Sequence, residues 1–464
     1  MSRLEKLKTR LHSLYNFLSS VNPNYKKDSF ISHFCFLAFE VIPFKQPDCL
    51  FIMISHTYGY GDLHNICKTT LFLEKIFTKS KIFLVPEQRI DEKTVKVCRE
   101  YYLEHLIVTH HVLRSFLQKN MKCVIIESAL PHGYNVGLPY IGHILVDEYN
   151  GWRMFDKHSV EHKGVEEYKQ PNILKMSGGI GFTSNFPCVG MHFQKYLENK
   201  TVLPQQPYYF AYNSDPSDSF SFRHLQRYIN TILICEENNS VIFKFIILGV
   251  SKKRLSTIIT LDEDCNIHYK NKIIPVILHD TLSHREVMNN IKNSNEPVFI
   301  TGDQSMAEAI HYNKLFFYQR HQWKVEFYKN LCEFFNYICK TKKRKRDILD
   351  KHPFVAFMEN NIGDGSFFLR RGGDRLCEKS AKELAHLLTT YREDIMTAKK
   401  ICYTELKKLY NIEFYIKNVV QQFFYVGSEK FQKILCEFLT EIMSDCDKKK
   451  LHLLRKEIKS MELP

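Results

Sequence analysis

At 464 residues the chain has room for about three compact domains of roughly 150 residues each, and 44% apolar with 25% charged residues is the balance of a folded chain, which excludes wholesale disorder, collagen and coiled-coil readings. Lysine and arginine number 65 against 51 aspartates and glutamates, a formal charge of +14 that favours polyanionic partners such as nucleic acid, an anionic membrane face or phosphorylated small molecules. The 14 cysteines are too dilute for a disulfide scaffold and none are spaced Cys-x-x-Cys, so a reducing compartment is expected.

Met1 to Ser20 mixes Lys and Arg with Leu and Phe at helical spacing. It lacks the unbroken apolar core of a secretory signal and reads as an amphipathic helix. The most apolar stretches, Phe30 to Val41 and Val241 to Val250, are interrupted by His33 and Glu40 or by Lys244. Both are shorter than the ~20 residues of a bilayer crossing, so no transmembrane helix and no integral membrane partner are expected. Cys49 to Ser55 is a continuous apolar run of the kind a doubly buried strand needs. It leads into His56-Thr57-Tyr58-Gly59-Tyr60-Gly61-Asp62 and then a helical pattern from Leu63 to Phe77. Lys81 to Val85, Met121 to Ile126 and Gly142 to Val146 are the next strands, and the alternation reads as a parallel α/β sheet.

A proline-bearing join, Val202 to Pro207, precedes a second run of the same kind. Tyr208 to Tyr212 opens it, a helix follows over about Ser219 to Ile234, and Val241 to Leu248, Ile273 to Leu278 and Pro297 to Thr301 are its strands, with helices from Ser283 and from Ser305. Beyond Lys340 comes a basic run, Lys342 to Arg346, read as a solvated linker or a nucleic-acid or nuclear-localisation patch. From Lys379 onward the apolar spacing is helical.

Two strand ends carry residues suited to chemistry. After the first strand, Gly59 and Gly61 allow close approach of another backbone or a substrate, and Asp62 stands at the start of a helix either as a proton acceptor or as an N-cap. In Thr301-Gly302-Asp303-Gln304-Ser305-Met306-Ala307-Glu308 a strand runs through a glycine turn into a helix whose first amides suit a phosphate or pyrophosphate, with Glu308 in reach of ribose hydroxyls. Ser305 and Glu308 fit a plain capping box equally well.

The pair of motifs, one in each α/β run, resembles the GT-B superfamily of nucleotide-sugar glycosyltransferases over about residues 45 to 335. That resemblance implies an α/β fold of two Rossmann-like domains facing across a cleft, with a helical C-terminal region. The implied boundaries are an N-terminal helical segment 1–44, an acceptor domain 45–203, a donor domain 204–340 and a basic linker and helical region 341–464. Within the superfamily the chain is similar to the bacterial protein-arginine rhamnosyltransferases, in which the glycine-aspartate step after the first strand supplies the base, here Asp62, and an acidic serine-containing loop binds the sugar nucleotide, here Asp303 and Ser305. Carried over residue by residue, the resemblance makes Asp62 catalytic, Gly302, Asp303, Gln304, Ser305, Glu308 and Tyr212 donor-binding, and Gly59 and Gly61 the acceptor-side loop. It implies an inverting, metal-independent transfer from a nucleotide-diphosphate sugar, a co-substrate needing no further cofactor, to an acceptor that includes a protein side chain among its candidates.

His158-Ser159-Val160-Glu161-His162 has the order of inverted zinc proteases or is a charged surface turn. Asp262-Glu263-Asp264 has metal-binding spacing or forms a polar hairpin tip. Lone histidines such as His56 and His132 are more often structural. Ser177-Gly178-Gly179-Ile180-Gly181 could cradle an anion but no clear strand precedes it. Arg320 or Lys314, just past the donor loop, would add positive charge to a leaving group or be solvated surface charge. A catalytically silent GT-B-like scaffold, or a basic protein binding nucleic acid or a host partner, is the rival reading. Cytoplasmic placement is expected, with translocation into a host cell as an effector compatible with the composition.

Overall fold

The computed structural model describes Thr9 and residues 44–54, 60–86, 90–119, 121–129, 141–147, 173–180, 188–193, 206–213, 219–320, 324–342, 351–363 and 373–425. The amphipathic N-terminal helix as a whole, the His158 to His162 motif, His56, His132, Gly59 and Lys343 to Arg346 lie outside the described residues. The chain divides into two units, one of residues 1–192 and 408–464 and the other of residues 193–407. The helices after residue 340 fall partly in each unit.

In the first unit β1 (Cys49–Ile54) is buried at all its positions, as expected of a strand covered on both faces. With β2 (Lys81–Pro86), β3 (Cys123–Ala129), β4 (Gly142–Asp147) and β5 (Ile173–Ser177) it forms a fully parallel sheet in the order β2-β1-β3-β4-β5. Parallel pairing requires crossovers. Helix α1 (Tyr60–Ile76) joins β1 to β2 and packs on β1, β2 and β3. Helices α2 (Glu92–Glu100) and α3 (His110–Gln118) join β2 to β3. Alternate residues Cys49, Phe51, Met53, Cys123 and Ile125 meet Leu113 and Leu117 of α3 on one face of the sheet. Strand β5 departs from the sequence expectation, because Lys175 interrupts its short apolar run, and it leads directly into the glycine cluster. The amide of Gly179 in that cluster donates to the Gly190 carbonyl at 2.7 Å, so a structural bridge already uses it.

The second unit begins with β6 (Tyr208–Tyr212), α4 (Ser219–Cys235) and β7 (Lys244–Leu248). Then come β8 (Asn266–Tyr269), β9 (Lys272–His279), α5 (His284–Asn293), β10 (Val298–Thr301), α6 (Asp303–His311) and β11 (Phe316–Gln319). Helices α7 (Val325–Lys342) and α8 (Pro353–Asn360) lead to the short strand β12 (Ile362–Gly363), followed by α9 (Gly373–Thr390) and α10 (Arg392–Leu409). The strands lie in the order β12-β11-β10-β6-β7-β9-β8. All pair in parallel except the edge strand β8, which runs antiparallel to β9. Numbered within the unit and leaving β8 aside, this is the doubly wound order 3-2-1-4-5-6, whose winding reverses between β6 and β10. Tyr228 of α4 fills the core beneath: its ring meets Phe245, Phe299 and Phe317, and its hydroxyl donates to the carbonyls of Phe210 and Pro297 at 3.1 and 3.0 Å.

The chain returns to the first unit through α11 (Ile412–Gln422), which packs on α1 and β4. Gly190 explains how closely: a Cβ there would lie 2.1 Å from the Tyr410 carbonyl oxygen, and its φ of +108° is one that side chains rarely adopt. No helix among the described residues is long and apolar enough to cross a membrane.

Candidate functional site

In open α/β sheets ligands sit beyond the carboxyl ends of the strands where the winding reverses. In the second unit that point is the gap between the ends of β6 and β10, and the Thr301 hydroxyl spans it by donating to the Tyr212 carbonyl at 3.0 Å. Tyr212 is half-buried and Asn213 beyond it is buried. The sequence-predicted residues Tyr212, Gly302, Asp303, Gln304 and Ser305 are therefore brought together at one edge of one sheet.

The turn into α6 differs from the sequence expectation. The helix begins at Asp303 with Gly302 as N-cap, two residues before the expected start at Ser305. Gly302 adopts φ +88° and ψ 154°, a region essentially restricted to glycine, and an added Cβ would meet nothing within 4 Å. Backbone conformation, and not crowding, requires glycine here. The N-cap, Gly302, has no side chain with which to cap the first turn. Ser305 is the third helical residue and Glu308 the sixth, so the capping-box reading of that pair is excluded by their phase on the helix.

The carboxylate of Asp303 is already committed. Tyr318 donates to its Oδ1 at 2.9 Å, and the buried Lys324 ammonium lies 2.7 Å from its Oδ2. The Tyr318 ring stacks on Tyr328, whose hydroxyl donates to the carbonyl of Met358 and to Asn361 Oδ1. Asp303 thus ties the start of α6 to β11 and to the approach of α7, while Lys324 neutralises a charge that would otherwise repel an anion. Sequence reasoning did not single out Lys324, which stands 21 residues from its partner.

Glu308 is buried between α5 and α6. Gln304 Nε2 donates to its Oε1 at 3.1 Å, and Nε2 of His284, the first residue of α5, lies 2.9 Å from the same oxygen. His284 was also missed, because only the packing of α5 on α6 reveals it. Lys314 precedes β11 and so lies at the amino edge, away from this site, where it donates to the Ser294 carbonyl at 2.6 Å; burial lowers its pKa. Arg320 follows β11 and stands at the carboxyl edge.

In the first unit α1 begins at Tyr60, so Gly61 and Asp62 are its second and third residues. Asp62 is therefore not an N-cap, although a carboxylate in a first turn is favoured by the helix dipole. The neighbouring His64 is buried, with its Nδ1 3.0 Å from the Tyr101 hydroxyl. Two further buried pairs occur in this unit: Glu127 with His143 at 2.7 Å, and His192 Nδ1 with Glu413 Oε1 at 3.8 Å. Burial lowers the His192 pKa despite Glu413. In the second unit burial, then Arg227 beside it, lowers that of His224 well below the ordinary value.

Asp262 forms a turn ahead of β8. Its carboxylate accepts from the Asn266 backbone amide at 2.7 Å and lies 2.7 Å from His268 Nε2, contacts that hold its pKa down to about 2. The polar-turn reading of Asp262 to Asp264 is the one the structure supports. Among the described residues no three His, Cys, Asp or Glu side chains are grouped to hold a metal ion.

The fold and this edge define the class: an α/β protein of two Rossmann-like parallel-sheet units with a helical C-terminal region. No protein-family model and no curated protein sequence matches the chain. Among solved structures it is similar to S. aureus MnaA in a co-structure with UDP, at 10% identity over 82% of this chain and 96% of that one with a TM-score of 0.47. It is also similar to the glycosyltransferase SnogD from Streptomyces nogalater, at 9% identity over 82% and 100% with a TM-score of 0.44. A third is the UDP-GlcNAc 2-epimerase from Methanocaldococcus jannaschii, at 13% identity over 59% and 84% with a TM-score of 0.40.

Proposed function

We propose that the protein uses a nucleotide sugar, that the start of α6 holds the donor's diphosphate, and that the reaction is transfer of the sugar to an acceptor. The observation that carries this reading is the first turn of α6, whose N-cap is a glycine in a glycine-only conformation at the reversal point of a doubly wound sheet. Orphan amides and the positive helix end suit an anion, and they oppose charge developing on a departing diphosphate. Tyr212, Gly302, Gln304, Ser305 and Glu308 are assigned to the donor; Asp303, held by Lys324 and Tyr318, is assigned to fixing the turn.

In the proposed step an acceptor oxygen or nitrogen attacks the anomeric carbon, the bond from that carbon to the diphosphate oxygen breaks, and the nucleoside diphosphate leaves with the electron pair. Asp62 takes the acceptor's proton. In-line displacement inverts the anomeric centre and needs no metal ion if the helix end and nearby cations carry the leaving charge. A protein side chain is among the acceptors this chemistry accommodates, and the free thiols of the described cysteines suit the cytoplasm, of the producing cell or of a host receiving the protein.

Calorimetric titration with UDP, GDP, dTDP and CMP sugars tests the proposal. Saturable binding of one nucleotide class, weakened in Ser305→Ala and Glu308→Ala, is expected. A protein that binds none of them would leave a basic binding protein as the better account. Donor binding without transfer to any acceptor would leave a catalytically silent scaffold, and epimerisation of the donor would identify a different use of the same site.

A further inference from the structure

The first turn of α6 contains an orphan of the opposite polarity to its amides. Gln304, its second residue, is 8% exposed, and its side-chain Oε1 is buried without a hydrogen-bond partner among the described residues. A buried acceptor left unpaired is costly, so its persistence beside an open helix end invites a ligand explanation. Its orientation is fixed by the neighbour one turn on. A carboxylate only accepts, so the amide must present its NH₂ end to Glu308, as it does at 3.1 Å, and turn Oε1 away. Nε2 of His284, on α5, lies 2.9 Å from the same carboxylate oxygen, within ion-pair distance. His284 has no part in capping its own helix, because Ser283 and Glu286 satisfy that turn reciprocally.

We infer that His284, Glu308 and Gln304 form a relay in which the first two are positioning residues and Gln304 accepts a hydrogen bond from a hydroxyl of the phosphorylated ligand. This rests on the proposed anion site at α6, and it shifts the reading of Glu308 from contacting the ligand to setting the polarity of the residue that does. Amide donors for an anion beside a fixed neutral acceptor select a phosphoester that carries a hydroxyl near its phosphate, as a ribose or a sugar diphosphate does. Inorganic pyrophosphate supplies the charge alone. Reversing the Gln304 amide would present a donor to the hydroxyl and remove its preferred partner.

Binding of UDP, GDP and inorganic pyrophosphate to the full chain is measured by calorimetry for the wild type, Gln304→Leu and His284→Phe, with 2′,3′-dideoxy-UDP and UDP-glucose added to separate a ribose hydroxyl from one on the transferred sugar. The relay predicts that both variants lose about tenfold in affinity for the nucleotide, as one net hydrogen bond is worth, while pyrophosphate affinity changes less than about threefold. A second readout needs no ligand. The side-chain amide resonance that disappears in Gln304→Leu should be displaced in His284→Phe, where Glu308 is no longer held. Equal losses for pyrophosphate and nucleotide, or an amide resonance that His284→Phe leaves in place, would overturn the relay. A wild type that binds none of the probes would overturn the nucleotide reading and the ligand role of Gln304 with it, while the amide resonance would still report whether His284 positions Glu308 and Gln304.

Discussion

Neighbouring helices α5 and α6 carry the same Ser-x-x-Glu spacing near their starts, and only one of them is capped by it. At α5, Ser283 Oγ accepts from the Glu286 amide at 3.3 Å and Glu286 Oε2 accepts from the Ser283 amide at 2.8 Å. At α6 the same residue types, Ser305 and Glu308, lie inside the helix, and the N-cap is Gly302. The strand-to-helix turn sets this phase. Ending β10 at Thr301 and turning through a positive-φ glycine starts the helix two residues early, which moves the serine out of capping position and makes a glycine the N-cap. A closed helix start contributes stability; an open one at a reversal point has amides to spare for a ligand.

The largest effect expected concerns a third first turn, that of α1. Asp62→Asn retains the shape and polarity of the residue but cannot take a proton. Transfer should fall by roughly 10²- to 10⁴-fold with donor affinity unchanged. Assays with the donor identified by the titration panel check this, and full activity would leave Asp62 as a favourable first-turn charge. Next comes Gly302→Val, which forces a branched side chain into a conformation reserved for glycine. A loss of about 1–3 kcal/mol in chemical denaturation is expected, together with loss of nucleotide binding in whatever protein remains folded.

A smaller and more discriminating pair tests the two serines against each other. Ser283→Ala should cost ~0.5–2 kcal/mol of stability, the usual value of an N-cap, and leave nucleotide affinity alone. Ser305→Ala should show the reverse: little change in the denaturation midpoint and a several-fold weaker donor, about the worth of one hydrogen bond. Equal behaviour of the two variants would erase the distinction between α5 and α6.

The smallest effect is on pH. His192 and His224 are held in their neutral forms by burial, so each binds a proton less readily folded than unfolded. Their contribution to stability is complete above the unfolded histidine pKa of ~6.5 and declines as pH falls below it toward the lower folded value. The melting temperature should therefore drop between pH 7.5 and pH 5.5, and His192→Gln should reduce that slope.

Much of the second unit was legible in the sequence. Its aromatic and β-branched strands are short continuous runs between turn residues, and Tyr208 to Tyr212 matches β6 as read. The end of β7 at Leu248 was legible, but its start was not: Val241 and Ile242 continue the apolar run yet are exposed, and the strand begins at Lys244. Strands β5 and β12 escaped because one carries a lysine in its middle and the other is only two residues long. At the site, the glycine turn and helix announced themselves by residue type. The Asp303–Lys324 and Glu308–His284 pairings did not, since they depend on which helices pack together and no local spacing encodes that. The register of α6 was misread for the same reason that capping boxes are persuasive, namely that the pattern states residue types and not where the helix begins.

In the proposed reaction the start of α6 receives the diphosphate. A crystal structure of the protein with the tightest-binding nucleoside diphosphate from the titration panel tests it most directly. Phosphate oxygens within about 3.2 Å of the backbone amides of Asp303, Gln304 or Ser305 are the predicted result. A nucleotide bound with its phosphates elsewhere, and the first turn of α6 untouched, would contradict it.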